Sequence, residues 1–250
     1  MPHPLEFTDQ VLICRVGQFR EADCWVRFFS SSRGILTGFA FGGAKSRHRF
    51  PGCLDFLNHV LLKVDCKRQG SYLCLQEGTL LHRFSGLQQN ASRLGMAVNC
   101  LKFLEAAHVG TGNASEVFEL FLKTLLVLDQ DPEVPGSLPL LFRARLAAIY
   151  GYQARFSCCS FCGGDLLSAP KVSLKVTQGN AFCFACMPRQ GIGQQVSGAE
   201  LDLLQRAFFA APEDWLQVFY AAPKSVLYLL DRFVQFHMGL TWSGGRFVQA

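Results

Sequence analysis

The 250-residue sequence has few charged residues and no long apolar segment. Asp, Glu, Lys and Arg make up only 17% of it while 50% of the residues are hydrophobic, which excludes an intrinsically disordered chain. The longest stretches without a charge, 176–188 and 233–245, have 13 residues each, fewer than the roughly 18 of a membrane helix. The first residues lack the basic stretch and apolar segment of an export signal. We therefore expect a cytoplasmic globular protein of one or two domains.

Motifs of common enzyme classes are absent as well. The segment from Gly38 to Ser46 resembles a phosphate-binding P-loop, but Ala44 occupies the position where that motif requires lysine. A basic, extended segment follows it instead of a helix. The sequence has neither a G-x-S-x-G nor an H-E-x-x-H motif, and its carboxylates are sparse. These absences predict a protein without enzymatic activity.

The net charge of +5 is unevenly distributed. Residues 1–80 contain 10 Lys or Arg against 7 Asp or Glu, and residues 154–192 contain 4 against 1, so each segment carries +3. The remaining segments, 81–153 and 193–250, carry zero and −1. Basic patches on an otherwise neutral chain indicate a polyanionic partner.

The first 80 residues predict a small β-barrel. Short β-favouring runs lie at 11–13, 25–29, 35–41, 60–64 and 72–75. Turn signals such as Gly42-Gly43 and Gln69-Gly70 separate them. Val60, Leu62 and Val64 alternate with more polar positions, which is typical of a strand with one buried face. Five short strands in this length fit an OB-fold.

Helical periodicity replaces this pattern from about residue 90. Leu94, Val98 and Leu101 follow it, as do residues 140–150 and an apolar stripe from Val226 to His237. The sequence thus predicts an α+β protein of four segments. These are an N-terminal OB-fold β-barrel (1–80), an α-helical domain (81–153), an inserted zinc-ribbon-like segment (154–192) and C-terminal helices that pack on the helical domain (193–250).

Eleven cysteines, an odd number in a chain without an export signal, argue against a disulfide framework. Six are scattered among apolar neighbours, which predicts core packing for Cys14, Cys24, Cys53, Cys66, Cys74 and Cys100. Four others form two Cys-x2-Cys pairs separated by 20 residues: Cys159, Cys162, Cys183 and Cys186. This spacing is typical of one structural Zn²⁺ held by four thiolates, with no open position for catalysis.

Three alternatives to this metal site remain open. A redox Cys-x-x-Cys pair would leave the second pair unexplained, and spacing alone does not distinguish zinc from an iron–sulfur cluster. Cys158 could replace its neighbour Cys159 as a ligand, although the first spacing would then be Cys-x3-Cys. Gly163-Gly164 follows the first pair and could leave backbone amides facing the sulfurs.

A basic loop is the candidate nucleic-acid site. Three fixed cations and a histidine lie within five residues beside the glycines: Lys45, Arg47, His48 and Arg49. Arg33 could join the same surface. Phe39, Phe41 and Phe50 flank the loop and could stack on bases if exposed, although barrel core is the simpler interpretation for at least one of Phe39 and Phe41. A solvated charge run is the alternative for the loop itself.

Several segments resemble those of the bacterial recombination mediator RecO family, and they follow each other in the same order over nearly the whole chain. Glu21-Ala22-Asp23, Phe28-Phe29-Ser30, Gly34 and Gly42 to Arg47 are similar to its barrel. The stretch from Phe142 to Leu146, continued by Gly151-Tyr152, resembles its central helix, and the four cysteines follow. Each motif is short, so the order of the segments is the most specific signal.

The resemblance implies a non-enzymatic role in DNA repair and homologous recombination in the RecF pathway. The implied activities are binding of single- and double-stranded DNA, annealing of complementary strands, and assistance in loading RecA onto strands covered by single-strand-binding protein. RecR and the acidic, apolar tail of single-strand-binding protein are the implied protein partners. Arg143 or Arg145 could bind the terminal carboxylate of that tail, but not both in one groove, since they lie two residues apart on a helix. A zinc-ribbon adaptor that binds only proteins is the competing hypothesis.

Overall fold

The computed structural model describes residues 6–67, 72–131, 133–153, 156–190 and 193–250. The turn predicted at Gln69-Gly70 lies outside these residues. The chain forms two compact units, the first from Met1–Ala91 with His108–Gln130 and the second from Ser92–Ala107 with Asp131–Ala250. The four predicted domain segments do not coincide with these units, and their status as separate domains stays a prediction.

The first unit contains a closed five-stranded barrel. Its strands are β1 (Glu6–Gln18), β2 (Cys24–Ser30), β3 (Gly34–Ala40), β4 (His59–Lys67) and β5 (Tyr72–His82). They pair in the order β1-β2-β3-β5-β4, and β1 closes the barrel by pairing with β4. The β3–β5 pair is parallel and the others are antiparallel. This arrangement confirms the predicted OB-type barrel and the α+β fold class.

Alternate strand residues fill the barrel interior. Val60, Leu62 and Val64 are fully buried while Leu61 faces outwards, which confirms the predicted alternation on β4. Helices α1 (Ser85–Gln88) and α3 (Ala114–Gln130) belong to the same unit. The ring of Phe118 on α3 lies 5.4 Å from that of Phe29 on the outer face of β2. This cover explains why residues of both parities on β2 are buried.

The second unit combines helices with two small sheets. Its helices are α2 (Ala91–Ala107, of which Ala91 falls in the first unit), α4 (Leu138–Ile149), α5 (Met187–Gln190), α6 (Gly198–Phe209), α7 (Trp215–Phe219) and α8 (Lys224–Met238). Its strands are β6 (Val172–Lys175), β7 (Asn180–Cys183), β8 (Gln194–Val196), β9 (Leu240–Ser243) and β10 (Arg246–Gln249). Helix α4 packs against α6 and α8, and the predicted stripe on α8 is buried from Val226 to Phe233.

Gly34 begins β3 in a conformation that other residues rarely adopt. Its φ is +78°, and a Cβ atom there would lie 2.6 Å from the carbonyl oxygen of Val109. We expect Gly34→Ala to lower the free energy of unfolding by about 2 kcal/mol, because both the φ angle and the contact are unfavourable. Gly112→Ala is the control, since its Cβ would have no neighbour within 4 Å. Equal effects of the two changes in urea unfolding would contradict this reasoning.

Candidate metal centre and nucleic-acid interface

The structure brings the four cysteines of the two Cys-x2-Cys pairs together. The Sγ atoms of Cys159, Cys162, Cys183 and Cys186 all lie within 4.8 Å of one another. The Sγ atoms of Cys162 and Cys183 are 3.8 Å apart. Four sulfurs at about 2.3 Å from a tetrahedral zinc ion are separated by about 3.8 Å. The cluster is thus close to the size that zinc requires.

Backbone hydrogen bonds hold the two pairs in register. The Cys159 amide donates to the carbonyl of Gly164 at 2.8 Å, and the Gly163 amide donates to the carbonyl of Cys159 at 2.9 Å. The Ser160 amide donates to the carbonyl of Ala181 on β7 at 2.9 Å, which joins the first pair to the second. The Gly163 amide therefore faces a carbonyl oxygen, in contrast to the expectation that it would face a sulfur.

The hydrogen-bond donors to the sulfur atoms are backbone amides of the two Cys-x2-Cys segments, here termed the knuckles (159–162 and 183–186). The Cys183 amide donates to Cys159 Sγ at 3.4 Å. Burial raises the pKa of the Cys159 thiol, but backbone amides of Cys162, Cys183 and Phe161 outweigh this and lower the pKa to about 6. Hydrogen bonding to Cys183, together with burial, raises the pKa of Cys186 to about 12. Four adjacent thiols cannot all lose their protons unless a cation balances the charge, so the donor set fits a divalent metal ion.

The remaining cysteines lie outside this cluster. Cys158 is exposed, and its backbone pairs with Asp165 in an isolated bridge. It is not among the four clustered residues, so the geometry favours Cys159 over Cys158 as the ligand. Of the six scattered cysteines, four are buried as expected of core residues, namely Cys14, Cys24, Cys53 and Cys100. Cys66 and Cys74 are partly exposed.

The basic loop follows β3 and presents its charges to solvent. Lys45, Arg47 and His48 are exposed, and Arg49 is half-buried. The Arg49 guanidinium donates a hydrogen bond to the carbonyl of Phe41. The structure thus brings these four predicted residues onto one segment, with three of them open to a ligand.

The barrel fixes the loop at several points. The amide of Gly42 donates to the Asp23 carboxylate at 2.7 Å, and the amide of Ala44 donates to the carbonyl of Ala22 at 3.0 Å. Phe50 is 4% exposed and belongs to the barrel core, so it cannot stack on bases. Phe39 and Phe41 lie outside the core with part of their surface exposed, so the expectation that at least one of them is barrel core was wrong.

Arg33 does not share this surface. It ends the β2–β3 turn, whereas the basic loop begins at the far end of β3. A strand of seven residues separates the two by about 20 Å. The Arg33 guanidinium lies 4.2 Å from the ring centroid of Phe7. A role of Arg33 in DNA binding stays a prediction, and its contact with DNA would lie apart from that of the basic loop.

The β2–β3 turn next to Arg33 is organised by one carboxylate. The side chains of Ser30, Ser31 and Ser32 all donate hydrogen bonds to Asp9, and the amide of Ser32 also donates to it at 3.0 Å. Burial raises the pKa of Asp9, but these hydrogen bonds outweigh burial and the pKa lies below its usual value. The ionised form of Asp9 therefore stabilises the folded turn.

This linkage predicts how the effect of Asp9→Asn on the free energy of unfolding depends on pH. A depressed pKa in the folded state gives stability that is complete above the unfolded pKa of about 3.9 and is lost as the pH falls through the folded value. We expect the variant to lose about 1–2 kcal/mol at pH 7 and to approach the wild type as the pH falls below the folded-state pKa of Asp9. Urea unfolding at several pH values measures this difference. Glu77→Gln, at an exposed site, is the control, and a pH-independent difference for Asp9→Asn would contradict the assignment.

The two arginines predicted for the tail of single-strand-binding protein differ in their surroundings. The Arg143 side chain is 15% exposed, and its Nη1 lies 3.3 Å from the Asp231 carboxylate. Its guanidinium also lies within 6 Å of the rings of Phe103 (5.9 Å) and Phe247 (5.4 Å). Arg145 lies about 160° around α4 from Arg143. Since Asp231 already neutralises Arg143, the geometry favours Arg145 for an external carboxylate.

A C-terminal hairpin was not expected from the sequence. Strands β9 and β10 pair around Gly244 and Gly245, both of which have positive φ. Two such glycines between alternating residues are a two-residue hairpin signal that could have predicted it. Lys102 Nζ donates to the carbonyl of Gly245 at 2.7 Å and lies 5.6 Å from the ring centroid of the exposed Trp242.

The fold and these sites define an α+β protein with an OB-type barrel and a cysteine cluster that is able to bind a metal ion. The family model described as recombination protein O N terminal matches residues 2–84, and the model described as recombination protein O C terminal matches residues 88–244. The chain therefore belongs to the RecO family of DNA repair and recombination proteins. None of the helices in the described part of the chain combines the length and the apolar composition that a membrane span requires.

Similar curated proteins cover nearly the entire chain. DNA repair protein RecO of Oleidesulfovibrio alaskensis is 41% identical over 253 residues, which span 97% of this chain and 99% of that protein. The RecO protein of Solidesulfovibrio magneticus is 42% identical over 250 residues, spanning 98% and 100%. That of Lawsonia intracellularis is 34% identical over 250 residues, also spanning 98% and 100%.

Proposed function

We propose that the protein mediates DNA repair and homologous recombination in the RecF pathway without catalysing a covalent step. It binds single- and double-stranded DNA, anneals complementary strands and, with RecR, assists the loading of RecA onto strands covered by single-strand-binding protein. Its place of action is the cytoplasm, at the nucleoid. Membership of the RecO family supports this role.

The basic loop on the barrel carries the proposal for DNA. Three of its side chains are exposed while the backbone on either side is anchored by Asp23 and by the buried Phe50. Cations on an anchored backbone neutralise phosphates whatever the base sequence is. Binding without sequence preference is what annealing and filament loading require, because both act on any strand.

Oligonucleotide binding tests this function directly. A fluorescently labelled 20-nucleotide strand should bind the full chain in dilute buffer, and its affinity should fall linearly on a log–log plot against salt concentration. Annealing of two complementary strands should accelerate under the same conditions. Absence of binding even at low salt would reject the proposal, whatever metal the cysteines hold.

The proposal of protein partners is based on family membership and on two arginines of the second unit. We propose that Arg145 contacts the terminal carboxylate of the tail of single-strand-binding protein, because Arg143 is paired with Asp231. A synthetic peptide of that tail should bind less tightly to Arg145→Ala than to Arg143→Lys, which retains a charge beside Asp231. Equal affinity of both variants and of the wild type would reject the site.

The cysteine cluster is proposed to hold one structural Zn²⁺ per chain. Cys159, Cys162, Cys183 and Cys186 supply four sulfur donors, and four protein donors leave no position for a reacting water. The bound ion would join the two knuckles and thereby stabilise the segment between α4 and α6. Metal analysis of the purified chain should give one zinc ion per chain.

One observation favours the alternative, a zinc-ribbon adaptor that binds protein only. Phe161 and Phe184 lie within the two Cys-x2-Cys pairs and are 54% and 66% exposed. Exposed rings of this size are typical of protein contacts. The adaptor hypothesis predicts no oligonucleotide binding at any salt concentration, so the experiment above distinguishes the two.

A further inference from the structure

Four aromatic side chains form a cluster outside the barrel, here termed the aromatic platform: Phe19, Phe39, Phe41 and Tyr72. Ring centroids of Phe19 and Phe39 are 5.5 Å apart, and those of Phe39 and Phe41 are 6.3 Å apart with planes inclined by 24°. Tyr72 lies 6.2 Å from Phe39 and 6.3 Å from Phe41. Phe39 and Phe41 are thus nearly parallel, Phe19 and Tyr72 meet both of them edge-on, and the four rings form one cluster.

Strand parity places this surface outside the core. On β3, Ala40 faces the interior, so its neighbour Phe39 faces outwards. Phe41 follows the strand, and Phe19 lies in the turn between β1 and β2. Phe19 and Phe41 remain 41% and 39% exposed. In barrels of the OB type, the β2–β3 face and the β1–β2 loop are the usual positions for oligonucleotides.

Cations adjoin the platform. The Arg20 guanidinium lies 5.8 Å from the ring centroid of Phe19, and its side chain is 74% exposed. Arg49 donates to the carbonyl of Phe41, and the exposed Lys45 lies four residues further on. Two acidic residues are nearby: Glu21 is exposed, and Asp23 accepts a hydrogen bond from the amide of Gly42. Asp23 also lies 4.0 Å from the Arg20 guanidinium, but the Arg20 side chain stays 74% exposed and open to a phosphate.

Rings beside cations match the two parts of a nucleotide. The rings offer faces to bases, and the guanidinium and ammonium groups attract the phosphates on either side. Bases of a duplex already stack on each other and present only their edges in the grooves. An aromatic surface of this kind therefore contributes only to the binding of unpaired strands.

We propose that the aromatic platform stacks on unpaired bases and gives the barrel a higher affinity for single-stranded than for duplex DNA. This inference rests on the proposed DNA-binding function and assigns separate tasks within it. The basic loop binds phosphates of either form, and the platform distinguishes them. Phe19 and Phe41, the two more exposed rings, contact the bases, while Phe39 and Tyr72 pack against them.

Paired substitutions test the platform. We expect Phe19→Ala/Phe41→Ala to weaken binding of a labelled dT20 strand by about tenfold or more, with duplex affinity changed less than about twofold. The dependence of affinity on salt should be unchanged, since no charge is removed. Phe19→Leu/Phe41→Leu keeps most of the apolar area but no π-face and should show nearly the same loss. These leucine variants also keep the test valid if the alanine variants are unstable.

Controls separate failure of the platform from failure of the function. Tyr220→Ala/Phe236→Ala removes two exposed rings from the second unit and should leave both affinities unchanged. A platform variant that binds dT20 like the wild type, or that loses single-strand and duplex affinity equally, overturns the inference. The proposed function survives a failure of the platform test if the wild type binds dT20 and a basic-loop variant does not. If the wild type binds no oligonucleotide, both are rejected.

Discussion

Replacement of Cys162 by serine is expected to abolish tight zinc binding and to lower the free energy of unfolding by more than about 4 kcal/mol. Cys162 is exposed, so its change to serine creates no core cavity, and the loss would reflect the metal. Structural zinc ions contribute to folding directly because the unfolded chain holds no preformed site. Metal analysis and thermal unfolding of the two proteins measure both effects.

Cys158→Ser is the matched control for this prediction. The residue is also an exposed cysteine and lies next to the cluster, but its thiol is not part of it. It should retain one zinc ion per chain and the wild-type melting curve. Loss of zinc from Cys158→Ser would show that the ligand set differs from the proposed one. A selective loss of DNA binding by Cys162→Ser, with unchanged melting, would contradict a structural role for the metal.

The second large effect is expected for Lys45→Ala/Arg47→Ala. Both side chains are exposed, so the fold should survive, whereas Arg49 also binds the Phe41 carbonyl and is left intact. Loss of two phosphate contacts should reduce the salt slope of single-strand binding by about 1.4. We expect affinity at low salt to fall roughly tenfold, and duplex affinity to fall with it.

Lys224→Ala/Arg232→Ala removes the same charge from exposed positions on α8 and serves as the control. If both double variants weakened binding equally, the effect would come from net charge and not from the loop. Unchanged affinity and slope in the Lys45→Ala/Arg47→Ala variant would instead favour the adaptor hypothesis. Crosslinking of a single strand to the full chain, followed by mapping of the attached residues, provides an independent check.

Local pattern was sufficient for much of the fold. Each of the five predicted barrel runs lies within, or within one residue of, an observed strand. Such runs can be predicted because alternation, as at Val60, Leu62 and Val64, depends only on residues within one strand. The stripe on α8 was equally clear, since residues three and four apart share a helix face. The cysteine spacing predicted a cluster because each pair is confined to one tight turn.

Other features were missed although local signals existed. Ser197 and Glu200 form a capping box at the start of α6, a pattern that is readable in the sequence. Gly244-Gly245 signalled the hairpin between β9 and β10. Strand β8, in contrast, gave no local signal, because its three residues, Gln194–Val196, are too few to show a periodicity.

The sequence by itself determined the five barrel strands and the helical region that follows them, the pairing of the cysteines in two knuckles, the basic loop and the RecO family. All of these depend on residues close together in the chain or on the order of segments. Only the tertiary structure decided that Arg33 lies at the far end of β3 from the basic loop, that Phe50 is core, and that Phe19, Phe41 and Tyr72 meet on one surface. These relations join residues from different strands, and their positions depend on how the barrel closes, which no local pattern encodes.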